Sequence, residues 1–231
     1  MSTVDSRPPT AAEYLARNRG GGLFTETVNQ RLAAHLCVVA ARLNLHPTVL
    51  TLTNLVLGLG ASITVIALAG EVRGGAVVIG LAALAVWQFA YTLDCADGQL
   101  ARVSGKTGPA GKRIDILADV AMQISLVSAV IAVADPPAVL AAVFAGTWMV
   151  NLVTSVLQQG DAAQSLVTSS SPLVRVVKLI RDYGAVVALI GLVLAFVPQW
   201  TIWLVAGFTT INGLFLVASV AAAARASLTR Q

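Results

Sequence analysis

The stretch Val49–Ala69 reads VLTLTNLVLGLGASITVIALA and contains no charged residue. Because a helix needs roughly 20 apolar residues to cross the hydrocarbon core of a bilayer, this stretch predicts a transmembrane helix. Five further apolar stretches follow along the chain, and we expect each of them to cross the membrane as well. They are Ala76–Leu93, Ile114–Ala134, Ala138–Leu157, Ala185–Val197 and Trp200–Ala222.

The composition also indicates a membrane protein. Hydrophobic residues make up 57% of the chain and charged residues only 11%, with a mean hydropathy of +0.81. Soluble domains carry about 25% charged residues, and a soluble protein this apolar would expose large apolar patches. The net charge of +4 does not indicate nucleic-acid binding, because the basic residues lie between the apolar stretches, where they report membrane orientation. We therefore expect an all-α integral membrane protein with no nucleic-acid partner.

The basic residues predict the orientation of the chain. All lysines and arginines except Arg73 fall in the N-terminal segment, the second and fourth gaps between the stretches, or the C-terminal tail. The positive-inside rule makes that side cytoplasmic. We expect a multi-pass protein of the cell membrane with six transmembrane helices and both termini in the cytoplasm. A five-helix alternative, in which the short stretch Ala185–Val197 does not cross, would place the C-terminal tail outside.

A helix of a different kind is predicted before the first transmembrane stretch. Over residues 24–44 the apolar residues recur at helical spacing, while the polar residues lie on other faces. The apolar residues are Phe24, Val28, Leu32, Leu36, Val39 and Leu43, and the polar ones include Glu26, Asn29, Gln30 and Arg31. We interpret this segment as an amphipathic helix on the cytoplasmic membrane surface. Packing on the protein's own cytoplasmic face is a compatible alternative.

The predicted domain organisation follows from these segments. A polar N-terminal segment occupies residues 1–23, and one membrane domain occupies residues 24–231. Within that domain the juxtamembrane helix covers residues 24–44, and a six-helix bundle covers residues 48–223.

Four of the eleven acidic residues lie close together at the predicted cytoplasmic ends of the second and third transmembrane helices. Carboxylates at membrane depth are energetically costly and indicate function. Asp94 and Asp97 are spaced i, i+3, and Asp115 and Asp119 are spaced i, i+4, so each pair shares one helix face. The short connection Val103–Ala110 can bring the two helices side by side. We therefore expect the four carboxylates to converge, which also places the active site on the cytoplasmic side.

Four converging carboxylates repel one another unless cations neutralise them. Mg²⁺ and Mn²⁺ prefer carboxylate oxygens, and the sequence offers no competing set of His or Cys ligands. Two such ions form a site suited to phosphoryl transfer. Gly98 and Gly111 leave room for a bulky ligand, and Arg102 adds positive charge for phosphate. The alternative is a set of solvated aspartates at the membrane edge.

The complete pattern is Asp94-x2-Asp97-Gly98-x2-Ala101-Arg102-x8-Gly111-x3-Asp115-x3-Asp119. It resembles the signature of the CDP-alcohol phosphotransferases, or CDP-alcohol phosphatidyltransferases, with every fixed residue and spacing kept. The resemblance extends to six membrane helices with an amphipathic helix before them. One position departs from it: many relatives carry Pro-Asn-x-x-Thr at the start of the first helix, where this chain has Pro47-Thr48-Val49-Leu50-Thr51. We expect Pro47 to start the helix, and a nucleotide contact by Thr51 is a secondary hypothesis.

The resemblance implies a role for each aspartate. Asp94, Asp97 and Asp115 are expected to be the principal ligands of two metal ions, and Asp119 is expected to be the general base that also touches a metal. The implied reaction is the metal-dependent transfer of a phosphoalcohol group from a CDP-alcohol to the hydroxyl of an acceptor alcohol, with release of CMP. By analogy with relatives, we expect a homodimer.

The same resemblance implies a nucleotide-binding surface. Gly98, Ala101 and Gly111 are expected to pack against cytidine and ribose, and Arg102 is expected to support the phosphates or the local structure. The donor is predicted to be CDP-diacylglycerol, because a site at the bilayer edge can receive lipid tails from the side. A soluble donor such as CDP-inositol is the alternative.

The acceptor is predicted to be a polyol phosphate such as inositol phosphate or glycerol phosphate. Its phosphate has four candidate partners, which are Arg113, Arg175, Lys178 and Arg181. The last three are equally explained as ordinary cytoplasmic flanking charge. Membrane prenyltransferases also use aspartate-rich metal sites, but their two motifs lie on widely separated loops. A divalent-cation transporter is the non-enzymatic alternative, although the sequence lacks the repeated halves typical of many carriers.

Overall fold

The computed structural model describes residues 7–158 and 182–228, and all regular secondary structure in these two ranges is helical. This confirms the predicted all-α class. In chain order the elements are α1 (Ala11–Leu15), a π-helix (Thr25–Asn29), α2 (Gln30–Arg42), α3 (Pro47–Ala67), α4 (Ala69–Arg73), α5 (Val77–Val103), α6 (Pro109–Ala134), α7 (Ala138–Gln158), α8 (Tyr183–Phe196), a 3₁₀-helix (Pro198–Trp200) and α9 (Thr201–Leu228).

Four segments in the described ranges are long and apolar enough to cross a membrane. They are Pro47–Ala67, Val77–Val103, Pro109–Ala134 and Pro198–Ala218, which correspond to four of the six predicted stretches. The other two predicted stretches correspond to α7, which has 21 residues, and to α8, which has 14. At 1.5 Å per residue, α8 by itself is about 21 Å long, less than the roughly 30 Å of the hydrocarbon core. Six spans therefore stay a prediction.

The second and third of these helices extend beyond their apolar stretches toward each other. The apolar stretch ends at Leu93, but α5 continues to Val103 because no proline lies between the two residues. It stops where Gly105 adopts a φ of 68°, which glycine tolerates, while the amide of Lys106 donates to the carbonyl of Ala101 at 3.0 Å. Pro109 then occupies the first position of α6, where its missing N–H costs nothing.

The chain divides into two compact units. Unit 1 comprises Met1–Ala61, Leu84–Ala121 and Ser169–Leu189, and unit 2 comprises Ser62–Ala83, Met122–Thr168 and Ile190–Gln231. The core of unit 1 includes Tyr14, Ala33, Ala34, Cys37, Ala40, Leu50, Leu93, Cys95, Ala96 and Leu100. Small residues on α2 allow close packing against α5, where the thiol of Cys37 donates to the carbonyl of Ala96 at 3.1 Å. Burial raises the pKa of this thiol to about 12, so it stays protonated and packs as a small apolar group.

The N-terminal helices attach to α5 through buried polar side chains. Asn29 donates to Gln88 and to Thr92, both at 3.0 Å, and Gln99 donates to the side chain of Gln30 at 2.7 Å. Of the polar residues that the sequence pattern set apart, Asn29 and Gln30 pack on the protein, whereas Glu26 and Arg31 are exposed. Leu32 and Val39 of α2 are also exposed, at 53% and 52%, while Leu36 and Val38 pack against the core of unit 1.

Unit 2 is held by aromatic and polar contacts. Trp148 of α7 makes edge-to-face contacts with Phe144 and with Phe208 of α9, and its ring N–H donates to Gln123 at 2.9 Å. Gly80 of α5 packs directly on the backbone of α8, because a Cβ at Gly80 would lie 2.4 Å from the Cα of Ala195.

Candidate active site

The hairpin of α5 and α6 places the predicted aspartates together in unit 1. Asp94 and Asp97 lie on α5, and Asp115 and Asp119 lie on α6. One carboxylate oxygen from each of Asp94, Asp97 and Asp115 lies within 4.8 Å of the other two. Asp119 lies beside Asp94. We refer to these four residues as the aspartate cluster.

The surroundings of the aspartate cluster fit a bound divalent cation. Asp97 is only 6% exposed, and the other three side chains are half-buried. Among the described residues, no lysine or arginine forms a salt bridge with any of the four. Like charges this close and this buried require neutralisation by a cation or by protons. A donor set made only of carboxylate oxygens suits hard ions such as Mg²⁺ or Mn²⁺.

Two polar residues of α3 hold the carboxylates of α5. The hydroxyl of Thr51 donates to Asp97, and the side-chain amide of Asn54 donates to Asp94 at 3.3 Å. Both α3 residues are buried, and they stand i, i+3 on one face of the helix. Hydrogen bonds of this kind orient metal ligands and tune their basicity.

Sequence reasoning missed Asn54 altogether and assigned Thr51 a different hypothetical contact. The available signal was a lone amide within the charge-free stretch of the first transmembrane helix, one turn after a threonine. Asn54 is 1% exposed, and its Oδ1 atom has no hydrogen-bond partner among the described residues. A buried acceptor without a partner is rare in folded proteins, so this oxygen is available to a group that binds at the cluster.

The glycines predicted to face a nucleotide have different neighbours. A Cβ at Gly111 would meet no described residue within 4 Å, so the α6 side of the hairpin borders open space in the part of the chain that the structure describes. A Cβ at Gly98 would lie 2.9 Å from Nη1 of Arg102. Gly98 therefore makes room first for the guanidinium of Arg102, one turn further along α5. Ala101, which lies between Gly98 and Arg102 in the sequence, is half-buried.

Arg102 provides positive charge beside the cluster. Its Nε atom donates to the backbone carbonyl of Arg17 at 2.6 Å, so the N-terminal segment holds the side chain in place. Its guanidinium interacts electrostatically with Asp97 and Asp115. Because Arg102 forms no salt bridge with the carboxylates, its remaining N–H groups are available to an anionic ligand.

Of the four candidate residues for an acceptor phosphate, the structure describes only Arg113. Arg113 is exposed on α6. Because residues two positions apart on a helix do not face the same way, its side chain leaves the helix on the side opposite to that of Asp115. The other three candidates, Arg175, Lys178 and Arg181, lie outside the described residues.

Comparison with known proteins agrees with this geometry. The family model described as CDP-alcohol phosphatidyltransferase matches residues 44–222, which is most of the chain. The chain belongs to this family. Membership in the CDP-alcohol phosphatidyltransferase family makes it a membrane transferase of phospholipid biosynthesis that moves a phosphate-containing group. A search of the curated proteins found no significant match.

The matched range gives the aspartate cluster its chemical setting. Residues 44–222 include both helices of the hairpin and the α3 residues that support it. CDP-alcohol phosphatidyltransferases typically depend on metal ions, use a CDP-alcohol as donor and take an alcohol as acceptor. The three convergent carboxylates are the group of residues that could hold such an ion.

Proposed function

We propose that the chain transfers a phosphatidyl group from CDP-diacylglycerol to the hydroxyl of a polyol phosphate, such as inositol phosphate or glycerol phosphate, and releases CMP. Family membership supports a CDP-alcohol donor and an alcohol acceptor. The observation that carries the metal-dependent chemistry is the convergence of Asp94, Asp97 and Asp115 within 4.8 Å.

The aspartate cluster divides into binding and proton-transfer roles. Asp94, Asp97 and Asp115, joined by Asp119, would hold two Mg²⁺ or Mn²⁺ ions. When bound, these ions hold the diphosphate and offset the negative charge on departing CMP. Thr51 and Asn54 keep the carboxylates of α5 in position through their hydrogen bonds.

Asp119 is the proposed general base. Its carboxylate accepts the proton of the acceptor hydroxyl, and the hydroxyl oxygen attacks the phosphorus farther from cytidine. The bond from that phosphorus to the bridging oxygen then breaks, and the bonding electrons leave with CMP. This role requires Asp119 to lie within hydrogen-bond reach of the acceptor, directly or through one water.

The nucleotide is proposed to lie along the hairpin beside Gly111. Open space around this glycine supports the placement, since a Cβ there meets nothing within 4 Å. Arg102 has free N–H groups for the nucleotide phosphates. Gly98 and Ala101 would contribute to the same surface, with Gly98 also admitting the Arg102 side chain.

The proposed membrane arrangement has six transmembrane helices, with the site and both termini on the cytoplasmic side of the cell membrane. Four long apolar helices support this arrangement, and so does the distribution of basic residues. The juxtamembrane helix is proposed to rest on the membrane surface. Leu32, Val39 and Leu43, which are exposed apolar residues, support this contact. A homodimer is proposed by analogy with the family.

The test is CMP release by purified protein in lipid nanodiscs. CDP-diacylglycerol with Mg²⁺ is combined in turn with glycerol phosphate, inositol phosphate and the unphosphorylated polyols, and Asp119→Asn serves as the inactive control. We expect acceptor-dependent CMP release with one polyol phosphate. CMP release only from CDP-inositol with a lipid acceptor would identify a soluble donor. Nucleotide-independent Mn²⁺ uptake into vesicles without any CMP release would favour a divalent-cation transporter.

A further inference from the structure

A second buried carboxylate in unit 1 lies outside the aspartate cluster. Asp182, immediately before α8, is 0% exposed. Its Oδ2 atom accepts hydrogen bonds from the backbone amides of Phe24 at 2.7 Å and Thr25 at 3.0 Å. Its Oδ1 atom accepts from the Thr25 hydroxyl at 2.5 Å and from the amide of Ala185 at 3.3 Å. Asp182 therefore caps the start of two helices that are far apart in sequence.

Glycines on both sides allow this close approach. Gly22 has a φ of 109°, and a Cβ there would lie 2.6 Å from Oδ2 of Asp182. A Cβ at Gly184 would lie 2.5 Å from Oδ1 of Asn29 and 2.8 Å from the hydroxyl of Thr25. A side chain at either position would force Asp182, or Thr25 and Asn29, to move. We call Gly22, Thr25, Asp182 and Gly184 the Asp182 junction.

The junction reaches the aspartate cluster through two tyrosines. The hydroxyl of Thr25 lies 3.3 Å from that of Tyr91, and Tyr91 packs edge-on against Tyr183 with ring centroids 4.9 Å apart. Tyr91 precedes Asp94 by one turn of α5. Tyr183 lies in the neighbourhood of Asp119 and Asp94. Hydrogen bonds thus link Asp182, through Thr25 and Tyr91, to the turn of α5 that carries Asp94, with Tyr183 packed on Tyr91.

We propose that Asp182 is a positioning residue for the transfer reaction: by fixing Thr25, it seats the Tyr91–Tyr183 pair against the aspartate cluster. This inference rests on the proposed function, because it concerns the same site. If the tyrosine pair shifts, the packing near Asp119 changes with it, and the base loses its alignment with the acceptor hydroxyl. Displacements of about 1 Å can lower a rate by up to about 100-fold. The path reaches the turn of Asp94 but does not include Asp97, Asp115 or the space beside Gly111, so metal and donor binding should be retained.

The decisive variants remove one link at a time. Asp182→Asn removes the charge, and Thr25→Val removes the hydroxyl with little change of shape. Thr25→Ser is the conservative rescue, because it keeps the hydroxyl. Gln30→Leu is the matched control: it removes hydrogen bonds to Gly20 and Gln99 in the same unit without touching either tyrosine.

The measurements are kcat, KM for donor and acceptor, the Mg²⁺ titration and the thermal midpoint. We expect Asp182→Asn and Thr25→Val to lower kcat about tenfold, with donor KM and the Mg²⁺ midpoint unchanged. Thr25→Ser keeps kcat near the wild-type value. Gln30→Leu lowers the thermal midpoint while kcat stays within about twofold.

A double-mutant cycle tests the path itself. Tyr91→Phe should lower kcat by as much as Thr25→Val, and the double variant should lower it no further, because both remove the same contact. Fully additive losses would overturn the path through Tyr91. If the junction variants lose thermal stability but keep the wild-type kcat, the positioning role is overturned. If the wild type releases no CMP with any donor and acceptor, the proposed function fails instead, and the inference fails with it.

Discussion

Asp97 and Asp182 are both buried carboxylates of unit 1, yet their neighbours differ. Within the part of the chain that the structure describes, Asp182 accepts hydrogen bonds from three backbone amides and from the Thr25 hydroxyl. Asp97 accepts a hydrogen bond from the side chain of Thr51, and it lies beside the carboxylates of Asp94 and Asp115. At Asp182, several hydrogen-bond donors surround one carboxylate. At Asp97, several carboxylates lie together with few hydrogen-bond donors.

This difference separates two ways of burying negative charge. Hydrogen-bond donors alone can stabilise a single buried carboxylate, so Asp182 needs no cation. A cluster of carboxylates needs a cation or protons as well, because each charge raises the energy of the others. Burial by itself therefore does not indicate a metal site, whereas converging carboxylates with few hydrogen-bond donors could hold an ion.

The largest expected effect is the loss of the proposed base. Asp119→Asn should lower kcat by about 10²–10⁴-fold, the usual contribution of general base catalysis, while CDP-alcohol binding is largely retained. Stopped-assay CMP release and equilibrium nucleotide binding measure the two quantities. Asp135→Asn, which changes an exposed carboxylate paired with Arg73, is the matched control. A wild-type rate in Asp119→Asn would remove it from the mechanism.

The next effect separates the two carboxylate sites directly. Asp97→Asn should weaken the apparent Mg²⁺ affinity by more than about 100-fold. Loss of a residue that is hydrogen-bonded to a metal ligand typically weakens metal affinity about 10–100-fold, and loss of the ligand itself should weaken it more. Asp182→Asn should leave the Mg²⁺ titration of CMP release unchanged. Equal shifts in both variants would show that the two sites do not differ in metal binding.

A third prediction compares the space around the two sites. Gly111→Leu should raise donor KM about 10–100-fold, because overpacking costs about 1–3 kcal/mol, and the folded protein should keep its thermal midpoint. Gly108→Leu, at another glycine with nothing within 4 Å, should leave donor KM unchanged. Gly22→Ala should instead lower the thermal midpoint, because its Cβ would overlap Asp182. Normal nucleotide affinity in Gly111→Leu would place the donor elsewhere.

The smallest effect concerns the support from α3. Thr51→Val should weaken the apparent Mg²⁺ affinity about tenfold, at the lower end for a residue that holds a metal ligand, and Thr51→Ser should restore it. The Mg²⁺ dependence of CMP release measures both. An unchanged titration in Thr51→Val would mean that its hydrogen bond to Asp97 does not tune the site.

The aspartate cluster could be predicted from sequence because its geometry is local. Spacings of three and four residues fix a helix face, and the short connection between α5 and α6 limits how the two faces can meet. The resemblance to the CDP-alcohol phosphatidyltransferases, carried by the same residues, is confirmed by the match over residues 44–222.

The Asp182 junction could not be predicted in the same way. Its hydrogen bonds join residues 157 and 158 positions apart, and neither segment carries a pattern that identifies the other. The glycine run at residues 20–22 indicates a special backbone conformation but not its partner. Asn54 could not be predicted for a similar reason, because its contact with Asp94 depends on how α3 packs on α5.

Hydropathy also left the number of membrane crossings open. It located all six apolar stretches, but it could not determine the ends of their helices. The α5 and α6 helices run past the apolar residues, whereas α8 has only 14 residues. Helix ends follow from caps and tertiary contacts, which hydropathy does not register.

The most direct test of the account is anomalous X-ray scattering from Mn²⁺ in crystals grown with a CDP-alcohol. We predict Mn²⁺ in contact with carboxylate oxygens of Asp94, Asp97 and Asp115, with the diphosphate beside it and no metal at Asp182. A bound nucleotide with no Mn²⁺ at the hairpin of α5 and α6 would contradict the claim that these aspartates gather around cations to hold a diphosphate.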